Sequence, residues 1–217
     1  MLLGIDAMLV VVILTNFLVL GSSRVAICIR SVALQGILLG VLTFLAHDGG
    51  PQLRTTLLAI ASISIKGIAF PALLFRALRE ADIRREIEPY VGYTLSILIG
   101  LAMFLLSLWL SGRLPLPQPP ISSLVVPVAL CTSLIGLLVI ISRKKAITQV
   151  LGYLVLENGI YAFGVGVVPH SPLLVELGVL LDVFVAVFVM GITMFHINRQ
   201  FDHIDTERLR ALKDWTP

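Results

Sequence analysis

Residues 122–141 read SSLVVPVALCTSLIGLLVII, a run without a single charged side chain. A helix needs about 20 mainly apolar residues to cross the hydrocarbon core of a bilayer, and this run has that length. It is continuous and does not alternate, which argues for a helix and against a membrane β-barrel, whose strands alternate apolar and polar positions. Working outward, further runs occupy residues 146–168 and 172–196 on one side and 90–111, 55–78, 25–46 and 4–21 on the other. The expected fold is therefore an all-α integral membrane protein with seven transmembrane helices. The first run has no basic segment before it and no cleavage site after it, so it is read as a retained helix and not a signal peptide.

Composition agrees. Of the 217 residues, 58% are hydrophobic and 13% charged, and the mean hydropathy is +1.00; a soluble domain carries about a quarter charged residues. The surplus of +3 charges does not point to nucleic acid, because the basic residues sit in short runs between apolar segments, as at a membrane surface. Cys28 and Cys131 fall inside apolar runs and read as small packing residues; a metal site or disulfide framework needs more cysteines or closer spacing. His47, His170, His196 and His203 lie at or near span ends, where an interfacial position is the default. There is no nucleotide loop, no iron–sulfur cysteine cluster and no zinc signature.

The Lys and Arg residues set the expected orientation. Arg24, Arg30, Arg76, Arg79, Arg84, Arg85, Arg143, Lys144, Lys145, Arg199, Arg208, Arg210 and Lys213 would share one side, 13 of the 16, against Arg54 and Arg113 on the other. Cytoplasmic loops carry the excess of Lys and Arg, so the C-terminus is expected in the cytoplasm and the N-terminus outside. The segments 76–88 and 199–213 mix Arg with acidic residues at helical spacing, as solvated helix ends or a docking surface for a peripheral partner. Spans one to three and five to seven also have similar spacing, and Gln35-Gly36-Ile37 and Asn158-Gly159-Ile160 occupy comparable helices. That spacing is compatible with a parallel internal duplication of the kind some transporters have.

Four ionisable residues fall inside spans: Lys66, Glu157, Glu176 and Asp182, with Gln35 and Asn158 as polar neighbours. A charge at the bilayer centre costs on the order of 3 kcal/mol on insertion scales, so such residues face the protein interior and find partners. Lysine and carboxylate side chains change charge by one proton, which suits them to carrying protons. Lys66 stands near mid-depth, and Pro71 after it cannot donate a backbone hydrogen bond, so a kink or opening is expected there. Glu157 shares a helix face with Tyr153 and Tyr161, four residues before and after it. Glu176 lies nearer the outer interface. Asp182 is about 15 Å into its span at 1.5 Å per residue, and Gly178 and Ala186 on its face allow close helix approach. Lys66 could pair with Asp182 or with Glu157.

The stretch Gln149-Val-Leu-Gly152-Tyr153-Leu-Val-Leu-Glu157-Asn158-Gly159 and the stretch from Pro172 through Glu176 to Asp182 and Met190 resemble the hydrogenase-4 component E family, a membrane subunit of group 4 membrane-bound [NiFe] hydrogenases. Lys66 and Gln35 match the polar positions of its third and second helices. The resemblance covers nearly the whole chain and is strongest over residues 142–196. It implies an N-terminal four-helix segment (1–111), a C-terminal three-helix segment (122–198) similar to the K subunit of complex I and the C subunit of multisubunit cation/proton antiporters, and a cytoplasmic tail (199–217). It also implies a proton or ion path through Lys66, Glu157, Asp182, Glu176, Asn158 and Gln35. No cofactor is expected in this chain; the [NiFe] centre and iron–sulfur clusters would reside in partners. Those partners would be antiporter-like membrane subunits, a heel membrane subunit and the cytoplasmic hydrogenase large and small subunits, all at a bacterial or archaeal cytoplasmic membrane. The alternatives are an antiporter subunit without a redox partner and a purely structural scaffold.

Overall fold

The computed structural model describes residues 2–45, 53–80, 90–116, 119–167 and 191. Among them, helix α1 spans Leu2–Gly21, α2 Val25–Leu45, α3 Leu53–Ser64, α4 Phe70–Glu80, α5 Tyr93–Ser111, α6 Val125–Ser142 and α7 Ala146–Val167, and a π-helical turn, Ile65–Ala69, joins α3 to α4. Counted as one rod, α3, the π turn and α4 give six helices long and apolar enough to cross a membrane. Apart from Gly191, the seventh expected span, 172–196, lies outside the described residues, as do the tail from 199 and all four histidines.

Each element ends for a local reason. Gly112, a weak helix former, and Pro115 three residues on mark the end of α5. Pro127 is tolerated inside α6 because it stands in the first turn, where backbone N–H groups have no helical partner. Ser122 prepares that turn: its hydroxyl accepts from the Leu124 N–H at 3.1 Å and donates to Asp6 of α1. The π turn sits where the proline led one to expect an opening. Phe70 N–H reaches back to the Ile65 carbonyl, one residue wider than the α-helical register, directly before a residue that has no N–H to give.

The helices expose large apolar side chains and turn many of their polar ones inward. On α5, Ser96, Gly100 and Ser107 face inward, while Leu98, Leu101, Leu105, Leu106 and Trp109 are exposed. That inversion is stable only in an apolar solvent, so α5 reads as a lipid-facing helix. Helix α4 is different: Phe70, Leu74 and Ala77 are buried, and Arg76 and Arg79 are exposed as the rod emerges.

Helices α6 and α7 pack most intimately. A Cβ on Gly159 would run into the Ser133 backbone nitrogen at 2.5 Å and the Ala129 carbonyl at 2.8 Å, so only glycine allows this approach. Two apolar clusters fill the bundle. One gathers Leu20, Ile29, Leu74, Ile135 and Leu151 toward the end that carries Arg24 and Arg143. The other gathers Leu9, Leu39, Val128 and Ala162 toward the opposite end. The side chains between them are not apolar, and they form the candidate site.

The candidate proton-carrying site

Along every core helix, a polar residue marks the boundary between the two clusters: Thr15 and Asn16 on α1, Gln35 on α2, Lys66 in the π turn, Thr132 on α6, and Glu157 and Asn158 on α7, all buried. At its centre Lys66 Nζ donates to Glu157 Oε1 at 2.7 Å, an ion pair whose two side chains are 5% and 3% exposed. Lys66 Nζ also donates to Asn158 Oδ1 at 3.4 Å, and lies 5.3 Å from the centroid of the Tyr161 ring. A buried charge is tolerated only when paired and hydrogen-bonded, and the π turn and its neighbours provide for that. On α2, Gly36 leaves space for the lysine stem, because a Cβ there would stand 2.5 Å from Lys66 Cβ.

From the pair, side-chain hydrogen bonds continue across the bundle. Asn158 Nδ2 donates to Gln35 Oε1 at 3.3 Å. Gln35 Nε2 donates to Asn16 Oδ1 at 2.9 Å and to Thr15 Oγ1 at 3.0 Å. Asn16 Nδ2 donates to Thr132 Oγ1 at 2.8 Å, and Thr132 passes its own proton donor to the Val128 carbonyl at 2.7 Å. Gln35 and Asn158, the two positions that the internal duplication would relate, meet in this chain. On the other side, the Tyr161 hydroxyl is 2.8 Å from Thr43 Oγ1, and Thr43 donates to the Leu39 carbonyl at 2.9 Å. Glu157 Oε2 and Ser62 Oγ are buried without a hydrogen-bond partner among the described residues.

Of the residues singled out in the sequence, Lys66, Glu157, Asn158 and Gln35 come together. Of the two pairings open to Lys66, the one with Glu157 is seen; Glu176 and Asp182 lie outside the described residues. Tyr161 adjoins the pair, whereas Tyr153 packs against the apolar cluster at the basic end. Sequence reasoning missed Thr15, Asn16, Thr132 and Thr43. The signal for Asn16 was present, since an amide near the middle of a span needs a partner.

Arg143 corrects an expectation. It opens a basic run read as loop, yet its side chain is 1% exposed. Its Nη2 donates to the Leu20 carbonyl at the end of α1 at 2.8 Å, and its guanidinium lies 4.6 Å from the Tyr93 ring centroid at the start of α5. It ties three helix ends together. Cys28 and Cys131 are buried free thiols in the apolar packing. Among the described residues no three His, Cys, Asp or Glu side chains gather in a way that could hold a metal ion.

No protein-family model and no solved structure matches the chain. Among curated proteins, an uncharacterized protein of Mycobacterium tuberculosis is 31% identical over 203 residues, 93% of this chain and 92% of that protein. Hydrogenase-4 component E of Escherichia coli K12 is 28% identical over 148 residues, 68% of each chain. Over two thirds of its length, and in its helices long and apolar enough to cross a membrane, the chain is thus similar to hydrogenase-4 component E.

Proposed function

We propose that this chain is a membrane-arm subunit of a group 4 hydrogenase or a related complex I-like redox complex, and that it contributes to a proton or ion path coupled to electron transfer in partner subunits. The observation that carries this reading is the Lys66–Glu157 pair, buried between two apolar clusters. The two side chains can take up or release a proton. This chain performs no redox chemistry in this reading; the [NiFe] centre and iron–sulfur clusters belong to the cytoplasmic large and small subunits. Antiporter-like and heel subunits flank it in the bacterial or archaeal cytoplasmic membrane. The end bearing Arg24, Arg76, Arg79 and Arg143 faces the cytoplasm, and a seventh span over 172–196 carries Glu176 and Asp182 into the same path.

The test assembles the complex with Glu157→Gln or Asp182→Asn and measures proton movement into inverted vesicles driven by hydrogen chemistry. Translocation is expected to fall at least about tenfold, which is about 1.4 kcal/mol on the barrier, while hydrogen turnover with an artificial electron carrier persists. Unchanged translocation in both variants refutes the relay. The pair would then serve only to lock helices. Native complexes that hold antiporter subunits and lack nickel and iron would favour the antiporter reading instead.

A further inference from the structure

The oxygen and nitrogen of a carboxamide have nearly the same shape, so packing does not decide which way an Asn or Gln side chain faces; its hydrogen-bond partners do. Three buried amides, Asn16, Gln35 and Asn158, stand in a row from α1 to α7, and two threonines decide the direction of all three. Thr15 Oγ1 donates to the Val12 carbonyl at 2.8 Å and Thr132 Oγ1 to the Val128 carbonyl at 2.7 Å, each on its own helix. A hydroxyl has one proton. With that proton held by a helix carbonyl, the oxygen only accepts, and an amide facing it has to turn its NH2 group that way.

From there each link follows from the one before. Asn16 gives Nδ2 to Thr132 at 2.8 Å and keeps Oδ1 for the next link. Gln35 Nε2 meets that oxygen at 2.9 Å and Thr15 Oγ1 at 3.0 Å, so both threonines turn Gln35 the same way. Gln35 Oε1 is then left for Asn158 Nδ2 at 3.3 Å, and Asn158 Oδ1 for Lys66 Nζ at 3.4 Å. The reversed row would turn the Asn158 NH2 group, a donor, toward the ammonium. It would also require both threonine hydroxyls to leave their helix carbonyls.

We infer that Thr15 and Thr132 are positioning residues. Acting through Asn16 and Gln35, they hold Asn158 with its oxygen toward position 66, and so set the sign of the charge that the bundle accepts there. The row favours a cation at position 66 and disfavours an anion. An ion pair alone has no such preference, since its two charges could stand in either order. The inference holds whether the pair carries protons or only locks helices, so it can fail separately from the translocation result.

The experiment exchanges the charges, Lys66→Glu with Glu157→Lys, in the assembled complex solubilised in detergent, with and without Thr15→Val and Thr132→Val. Valine has nearly the shape of threonine and lacks the hydroxyl. In the parent the two valines should lower the thermal midpoint by roughly 2–4 °C. In the exchanged protein, where a carboxylate meets the Asn158 oxygen, they should raise it by a similar amount, because amides without anchors are free to reverse. Assembly of the exchanged protein only when it carries the valines is the same result. Valines that lower both midpoints alike overturn the inference, as does an exchanged protein as stable as the parent. Should neither exchanged protein assemble, Thr15→Ser with Thr132→Ser in the parent decides. Serine keeps the hydroxyl and loses the methyl, the reverse of valine. Directed amides require the serine pair to be more stable than the valine pair; a valine pair at least as stable as the serine pair overturns the inference.

Discussion

Lys66 Nζ lies 2.7 Å from Glu157 Oε1 although 91 positions separate them in the chain. The contact joins the π turn of the third span to the middle of α7, and with the adjoining bond to Asn158 it fixes how two halves of the bundle meet. Breaking a buried pair by removing one partner leaves an uncompensated charge, at a cost of about 3–5 kcal/mol, whereas replacing both partners by apolar residues is often near neutral. Lys66→Met and Glu157→Met should therefore each lower the thermal midpoint of the detergent-solubilised complex, and the double variant should recover most of the loss. A double variant no more stable than the singles would mean that the two charges do not interact.

Tyr161 offers two separable contacts. Tyr161→Phe keeps the ring beside Lys66 and loses only the hydrogen bond to Thr43, about 0.5–1.5 kcal/mol. Tyr161→Leu loses both, with about 0.5–2 kcal/mol more for the cation–π contact. Denaturation midpoints of the two variants, compared with Thr43→Val, give the division. Equal midpoints for Phe and Leu would remove the ring from the account of how the lysine charge is held.

Gly159 is one of the glycines that let the backbones of α7 and α6 come close, with Gly136 and Gly152. Gly159→Ala forces the backbones apart and should cost about 1–3 kcal/mol as overpacking. A cross-link between cysteines placed at facing positions of α6 and α7 should form more slowly in this variant. Unchanged cross-linking would show that the interface yields without separating.

Arg143→Lys keeps the charge and loses the planar fork that reaches the Leu20 carbonyl while lying beside Tyr93. Arg and Lys are not interchangeable at such a site. The loss should be about 1.5–3 kcal/mol, the range for hydrogen bonds to charged groups, read as a reduced yield of folded subunit and a lower midpoint. A variant as stable as the parent would mean that Arg143 is buried without contributing.

The spans were legible because lipid imposes one simple demand, a long uninterrupted apolar run. The structure starts α2 at Val25 and ends α7 at Val167, within a residue or two of the runs 25–46 and 146–168. The depth of Lys66 and Glu157 was legible for the same reason. Their pairing was not, since it depends on how α2, α7 and the third span cross, and hydropathy carries no information on that. Asn16 and Thr132 escaped because one short polar residue in an apolar run looks like a packing residue until its partner is known. Arg143 escaped because it belongs to a run of three basic residues, and only the convergence of α1 and α5 on its helix end buries it.

The wide turn at Ile65–Ala69 makes this one place in the third span tolerant of a change in length. It accommodates one residue more than an unbroken α-helix would over the same contacts. Deleting one residue there would restore a regular helix and leave Phe70, Leu74 and Ala77 facing the core. The same deletion in a regular stretch of the rod, far from the turn, would rotate everything after it by about 100°, one residue's share of a 3.6-residue turn. The loss the turn does not forgive is that of Lys66 itself, because the partner of Glu157 goes with it.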